Sequence, residues 1–409
     1  MSRLAWWKEA SPDARRSLVA ASFGWMLDSF DVMLYAMVLA ALMADLDMTK
    51  ATAGLLGSLT LAASAVGGLV FGVLADRFGR RKALMASIVI YSVFTAACGF
   101  ATGVVMLAVF RIFLGLGMGG EWASGASLVS ETWPAEHRGK ALGIVQSSWA
   151  VGYAVAAAVA ALVLPVWGWR GVFFIGVLPA FFTLWIQRRV REPEIWCAAR
   201  AAAPKVRAGF GEIFGRKRLR LTVFVTLMNA CTMFAWWGFN LWLPAYLSMP
   251  SAEGGIGLAP RTMSALVIFM QAGMWLGYIT FGFISDRLGR KRSYVAFLIA
   301  AAAFMLLYSR TTEPLLLLVL GPFVAFFGTG YFTGFGALTA EIYPTAVRAT
   351  AQGITYNTGR IVSAAAPFVV GSLAQTKGFG FSFFVIAAAF LAAALFWAGI
   401  PETAGKQLD

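Results

Sequence analysis

Twelve apolar runs, each near the length that a bilayer demands of a helix, constrain this chain more than any other feature. They lie at 17–44, 51–75, 83–101, 104–130, 140–164, 171–187, 221–247, 262–285, 293–309, 314–340, 349–374 and 379–399. Crossing the hydrocarbon core takes about 20 apolar residues. Within it every backbone polar group must be satisfied inside the segment, so these runs are expected to be helices. A soluble domain would have nowhere to bury this much apolar surface, since the chain is 60% hydrophobic and 13% charged, with mean hydropathy +0.75. The net charge of +14 would suit nucleic acid, and the location of the basic residues decides otherwise. With the N-terminus cytoplasmic, only Lys50, Arg170, Arg261, Arg310 and Lys377 fall in external loops and Arg111 and Arg360 within spans; the rest are cytoplasmic. That asymmetry is the positive-inside rule. The expected partner is a lipid bilayer and not nucleic acid, in a multi-pass inner-membrane protein with both termini cytoplasmic.

Residues 1–16 mix Arg3, Lys8, Arg15 and Arg16 with Glu9 and Asp13, and the next apolar run is too long for a signal-peptide core, so no cleaved signal is expected. Cys98, Cys197 and Cys231 are odd in number and unrelated in spacing, which supports neither a disulfide framework nor a metal site. His137 falls in a predicted cytoplasmic loop and reads as solvated.

The chain repeats itself. Gly72-Val-Leu-Ala-Asp76-Arg77-Phe-Gly79-Arg80-Arg81-Lys82 returns 210 residues later as Gly282-Phe-Ile-Ser-Asp286-Arg287-Leu-Gly289-Arg290-Lys291-Arg292. Glu131-Thr-Trp-Pro134 with Arg138 returns at the same offset as Glu341-Ile-Tyr-Pro344 with Arg348. The offset spans six runs, an even number, so both copies lie on one membrane face and the repeats are parallel. An all-α membrane protein follows, with an N-terminal six-helix bundle over 1–190, a cytoplasmic linker over 191–218 and a C-terminal six-helix bundle over 219–409.

The paired Gly72–Lys82 and Gly282–Arg292 segments resemble the signature of the major facilitator superfamily between its second and third helices. Asp28-Ser-Phe-Asp31 is similar to the paired-aspartate motif of aromatic-acid/proton symporters. Arg111-Ile-Phe-Leu-Gly115-Leu-Gly117-Met-Gly119-Gly120-Glu121-Trp122 and Pro165-Val-Trp-Gly-Trp-Arg170 resemble the bacterial sialate/proton symporters. Arg191-Glu-Pro-Glu194 and Pro401-Glu402-Thr403 are similar to the Pro-Glu motifs that close each half of sugar porters and their organic-acid relatives, although the first copy lacks the usual Ser-Pro after Glu194. The resemblance implies the twelve-helix major facilitator fold, with the first and fourth helices lining a cavity.

In the repeated loops, Asp76 can accept hydrogen bonds from arginine or from a helix end, a contact able to hold one state closed. Asp76, Arg80, Glu131 and Arg138, with Asp286, Arg290, Glu341 and Arg348, are therefore gating candidates, against the simpler reading of a solvated basic loop. The glycines at 115, 117, 119 and 120 mimic a nucleotide-binding pattern, but they lie inside an apolar run and not after a strand, so they read as close helix packing. Trp236, Trp237, Phe239 and Trp242 near the external end of the seventh run are either interfacial anchors or a stacking surface for substrate.

Ionisable groups inside the spans carry most of the functional information, because charge in hydrocarbon is costly. They are Asp28, Asp31, Arg111, Glu121 and Arg360. Gly24, Asp28, Asp31 and Tyr35 follow helical spacing on one stripe near midplane. The fourth run is antiparallel, and a rise of about 1.5 Å per residue sets Arg111 near the Asp31 level and Glu121 near the Asp28 level. Arg111 beside Asp31 would favour its carboxylate, while Glu121 and Asp28 would repel and one would take up a proton more easily. Asp28, Asp31 and Glu121 are the proton-coupling candidates; a permanent structural Asp–Arg pair is the alternative. In the eleventh run, Gly353, Asn357, Arg360, Ala364 and Pro367 share a stripe flanked by Tyr356 and Ser363. No acid inside a span of the second half faces Arg360, so an anionic substrate would complete its site; the alternative is a structural arginine satisfied by helix-end carbonyls or by the acids of the first half. The substrate-binding candidates are Arg360, Arg111, Asn357, Tyr356, Tyr35, Gln271 and Trp237.

The expected function is a secondary transporter importing a small organic anion, a carboxylate, together with protons by alternating access. The rivals are a neutral-sugar or drug transporter, an exporter of the same fold, and a membrane sensor, for which the short linker and tails leave little output segment. No nucleophile–base pair, metal cluster or cofactor fingerprint points to an enzyme. No cofactor is expected, and the chain is expected to act as a monomer.

Overall fold

A computed structural model describes residues 6–7, 10–194, 197, 216–343 and 348–404, the side chains of 123, 135, 136, 216–218 and 348–350 excepted. The helices are α1 (Pro12–Asp45), α2 (Lys50–Phe78), α3 (Arg80–Cys98), α4 (Val104–Thr132), α5 (Ala135–Ile175), α6 (Leu178–Arg189), α7 (Arg216–Ser248), α8 (Pro260–Leu288), α9 (Arg290–Ser309), α10 (Pro314–Thr329), α11 (Phe335–Ile342), α12 (Arg348–Ser363) and α13 (Ala366–Phe396). Among the described residues there is no strand. The expected linker over 191–218 lies mostly outside the described residues.

Among the described residues, ten helical stretches are long and apolar enough to cross a membrane. They resolve into twelve spans at two kinks, which fall 210 residues apart. Gly168 inside α5 has φ 63° and Gly378 inside α13 has φ 83°, a left-handed backbone that side chains other than glycine rarely adopt. Each kink separates two of the runs read from sequence, 140–164 from 171–187 and 349–374 from 379–399. The repeat is thus written in backbone geometry as well as in motifs.

The chain groups into two compact units, Met1–Val38 with Ala62–Lys205, and Leu39–Leu61 with Val206–Asp409. In the first, α3 packs on α4 and α6 around Leu84, Ile88, Tyr91, Leu114 and Ile186. The glycine pattern of α4 serves helix packing: a Cβ at Gly119 would collide with Ser64 O and the Gly68 backbone of α2. In the second unit the end of α1 and the start of α2 join the C-terminal helices. Ser58 Oγ accepts from Phe368 N at 3.1 Å and Gln375 Oε1 from Ala51 N at 3.1 Å, while Gly54 leaves no room for a side chain against Pro367 O.

The aromatic group of α7 is a correction to the anchoring reading. Trp236, Phe239 and Trp242 are buried in protein, not set at a membrane interface; Phe239 packs on Tyr308 and Phe383, and Trp242 Nε1 donates to Pro367 O at 2.8 Å. His137 also differs from expectation: it is half-buried, edge-on to Trp6 at 6.4 Å.

Candidate functional site

Polar side chains gather at the centre of the first unit on three helices. From α1 come Asp28 and Asp31, each 1% exposed, and fully buried Tyr35; from α4 come Glu121 and Arg111. Glu121 meets α1 where Gly24 makes room, since a Cβ there would stand 2.5 Å from Glu121 Oε1. It therefore lies one turn before Asp28, close to the level expected. The third wall is α3, whose Tyr91, Ser92, Thr95 and Cys98 are all buried. Tyr91 interacts electrostatically with Asp28, Asp31 and Glu121 together, and its hydroxyl lies 3.5 Å from Gly24 O. Ser92 and Thr95 sit beside Asp31 without a regular hydrogen bond to it, Thr95 donating instead to Tyr91 O at 2.8 Å. Sequence reasoning missed this wall, although Tyr91, Thr95 and Cys98 follow i, i+4, i+7 spacing in an apolar run.

Arg111 does not make the expected pair with Asp31. Its guanidinium lies over the Tyr35 ring, 3.6 Å from the centroid, and Nε, Nη1 and Nη2 have no hydrogen-bond partner among the described residues. The physical reason is register: helical rise fixes a level only to within a turn, and Tyr35 is one turn beyond Asp31. A delocalised cation held on an aromatic face keeps its in-plane donors available.

The second unit centres on Arg360 of α12, 5% exposed, with the Tyr356 phenol in its electrostatic neighbourhood. Its guanidinium has no hydrogen-bond or ion-pair partner among the described residues. Asn357 donates from Nδ2 to Gly353 O of its own helix at 2.9 Å. Gln271 of α8 is buried, its Nε2 donating to Val267 O at 3.3 Å and its Oε1 without a hydrogen-bond partner among the described residues; Trp237 is half-buried on α7. Asn229 of α7, not anticipated from sequence, is 1% exposed and donates to Thr355 O at 3.2 Å and Tyr356 O at 3.4 Å, which ties α7 to α12 beside Arg360.

The repeated motifs build the same cluster at one end of each unit. Arg80 donates from Nη2 to Glu131 Oε1 at 2.8 Å and from Nη1 to Asp76 Oδ1 at 2.6 Å. Arg290 does the same to Glu341 at 2.9 Å and Asp286 at 2.5 Å, with Ser285 Oγ at 2.7 Å. Beside each arginine, a glutamate from the Pro-Glu motif reaches the start of the next helix. Glu192 Oε2 accepts from Arg81 N at 3.2 Å; Glu402 accepts from Arg290 N at 2.7 Å and Lys291 N at 3.1 Å. Gly79 at φ 114° and Gly289 at φ 94° provide the turn, and any Cβ there would strike these carboxylates. Partial burial alone would raise the Glu402 carboxyl, but backbone donors from Ala404, Arg290, Thr403 and Lys291 hold it below the usual carboxylate range. Arg138 is left out of its cluster, with no side-chain partner among the described residues, and the Arg348 side chain lies outside those residues. Among the described residues no three His, Cys, Asp or Glu side chains converge as metal ligands.

The model of the Major Facilitator Superfamily matches residues 21–253 and 246–408. The chain is 33% identical over 390 residues to a sialic acid transporter of Escherichia coli, covering 95% of this chain and 94% of that one. It is 34% identical over 374 residues to a cis,cis-muconate transport protein of Acinetobacter baylyi, covering 89% of each. Among solved structures it superposes on a D-xylose-proton symporter with a TM-score of 0.79 at 19% identity, over 97% of this chain and all of that one, a likeness of fold.

Proposed function

Because the chain belongs to the Major Facilitator Superfamily and is a multi-pass membrane transporter, we propose that it imports a small carboxylate together with protons, by alternating access across an inner membrane with both termini cytoplasmic. The observation that carries this reading is Arg360, a guanidinium 5% exposed and without an anionic partner among the described residues. A charge so buried is costly unless something pairs with it, and a planar carboxylate matches its fork. The transported anion supplies that partner. The proton is carried within the first unit by Asp28, Asp31 or Glu121, all three within electrostatic reach of Tyr91. Taking up a proton alters how this group holds its neighbours and shifts the balance between states. The family relatives named for sialic acid and for muconate, both acids, support the carboxylate assignment.

Uptake of labelled carboxylates into proteoliposomes tests the reading. An acidic exterior is expected to drive accumulation and an acidic lumen is not, with collapse on adding a protonophore. Uptake that ignores the protonophore and follows a sodium gradient overturns the proton assignment.

The two end clusters serve as the gates. Asp76 and Asp286 are the exposed members of each, 68% and 64% at the side chain. Exposed pairs contribute up to about 1 kcal/mol, so Asp76→Asn and Asp286→Asn are expected to slow turnover by no more than about fivefold with substrate affinity nearly intact. A large loss of equilibrium binding at normal exchange rates would place them at the substrate.

A further inference from the structure

One cavity adjoins the Arg290–Glu402 cluster of the second unit. It has a volume of about 390 Å³ and sits where α7, α9 and the end of the chain meet, lined by Arg220, Lys291, Leu221 and the stretch 398–401. All three elements pass there from apolar span to polar terminus: Arg220 opens the α7 span, Lys291 opens α9, and Gly399 closes the last. The cavity is therefore at a membrane boundary.

Its lining carries two cations, Arg220 and Lys291. Neither Arg220 nor Lys291 has an ion-pair partner among the described residues. Lys291 Nζ donates to Ile400 O at 3.2 Å and the Arg220 guanidinium lies 5.7 Å from the Phe224 ring centroid. The Glu402 carboxylate, next to the lining residue Pro401, accepts from four backbone N–H groups and forms no ion pair with either cation among the described residues.

In the first unit the equivalent of Lys291 is Arg81, which likewise donates to a backbone carbonyl, Val190 O, at 3.3 Å. A cation fastened to a carbonyl thus belongs to the shared architecture, and in the second unit Arg220 lines the same cavity. Close along the chain to its lining residues are exposed apolar side chains: Leu219 and Val223 are each 43% exposed, Leu288 60% and Leu395 74%.

We infer that this cavity binds the phosphate of an anionic phospholipid between Arg220 and Lys291, with the acyl chains lying along Leu219, Val223 and Leu395. A paired cation site at a membrane boundary, continuous with exposed apolar side chains, suits an amphipathic anion better than a free one.

Native mass spectrometry of the full chain in detergent, titrated with phosphatidylglycerol or phosphatidylcholine, tests this. Each interfacial cation contributes about fivefold, so the wild type is expected to prefer phosphatidylglycerol by about 25-fold. Arg220→Ala and Lys291→Ala should each cut that preference about fivefold, and Arg220→Lys should keep most of it, a variant that also reports on folding. An unchanged preference in both alanine variants overturns the site. Displacement of the bound lipid by millimolar glycerol phosphate or inorganic phosphate overturns the lipid assignment in favour of a soluble phosphate ligand.

Discussion

Arg360→Ala is expected to lower affinity for the transported carboxylate at least ~100-fold, and Arg360→Lys about tenfold, because lysine keeps the charge and loses the planar fork. Equilibrium binding by calorimetry or scintillation proximity reads the effect directly, without a gradient. The loss should also be selective for the carboxylate. Esterifying it should cost the wild type far more affinity than it costs Arg360→Ala, since only the wild type has a guanidinium to lose. Asn229 provides a useful contrast. It is buried beside the same stretch of α12 and holds two of its carbonyls, so Asn229→Ala should disturb the helix pair and weaken acid and ester alike. If acid and ester keep the same affinity ratio in wild type and Arg360→Ala, Arg360 is structural.

The fold was legible because its strongest determinants are one-dimensional. Apolar run length answers to bilayer thickness, and the motifs at Asp76 and Asp286 carry the 210-residue repeat openly. The same offset relates Gly168 to Gly378 and Glu192 to Glu402, but those pairs acquire meaning only through a positive φ and a carboxylate folded back on a helix start. The charged positions of the candidate site were legible for a similar reason, since hydrocarbon makes any ionisable residue conspicuous. Their partners were not. Arg111 lies one turn from the residue expected to pair with it, a distance that helical rise alone does not resolve. Tyr91, Thr95 and Cys98 escaped notice because a tyrosine, a threonine and a cysteine in an apolar run read as packing. The aromatic residues of α7 were misread from the opposite direction: their place near a run end suggested an interface, whereas tertiary packing buries Trp236, Phe239 and Trp242.

Arg111→Met is expected to abolish transport and at the same time to stabilise the protein, a combination that separates a functional charge from a structural one. The guanidinium is fully buried, and its three nitrogens have no hydrogen-bond partner among the described residues. What holds it is the Tyr35 ring, and a desolvated cation–π contact contributes about 2 kcal/mol. The cost of burying an ion without a counter-charge is larger, several kcal/mol even after relaxation. Methionine fills a similar volume and keeps contact with the ring without that cost, so net stability should rise by at least about 1 kcal/mol, or roughly 2 °C in melting temperature. Transport should fall at least ~100-fold, because a charge kept at such a cost is kept for an anion that visits it. The two readings diverge in the same pair of measurements. If Arg111 only braces α4 against α1, its removal lowers the melting temperature and leaves exchange of the carboxylate largely intact. A thermal melt of the substrate-free protein in detergent, followed by counterflow in liposomes, decides between them. The substrate itself provides a third reading: added carboxylate should raise the melting temperature of the wild type and leave that of Arg111→Met nearly unmoved, since binding stabilises only a protein that still has the site.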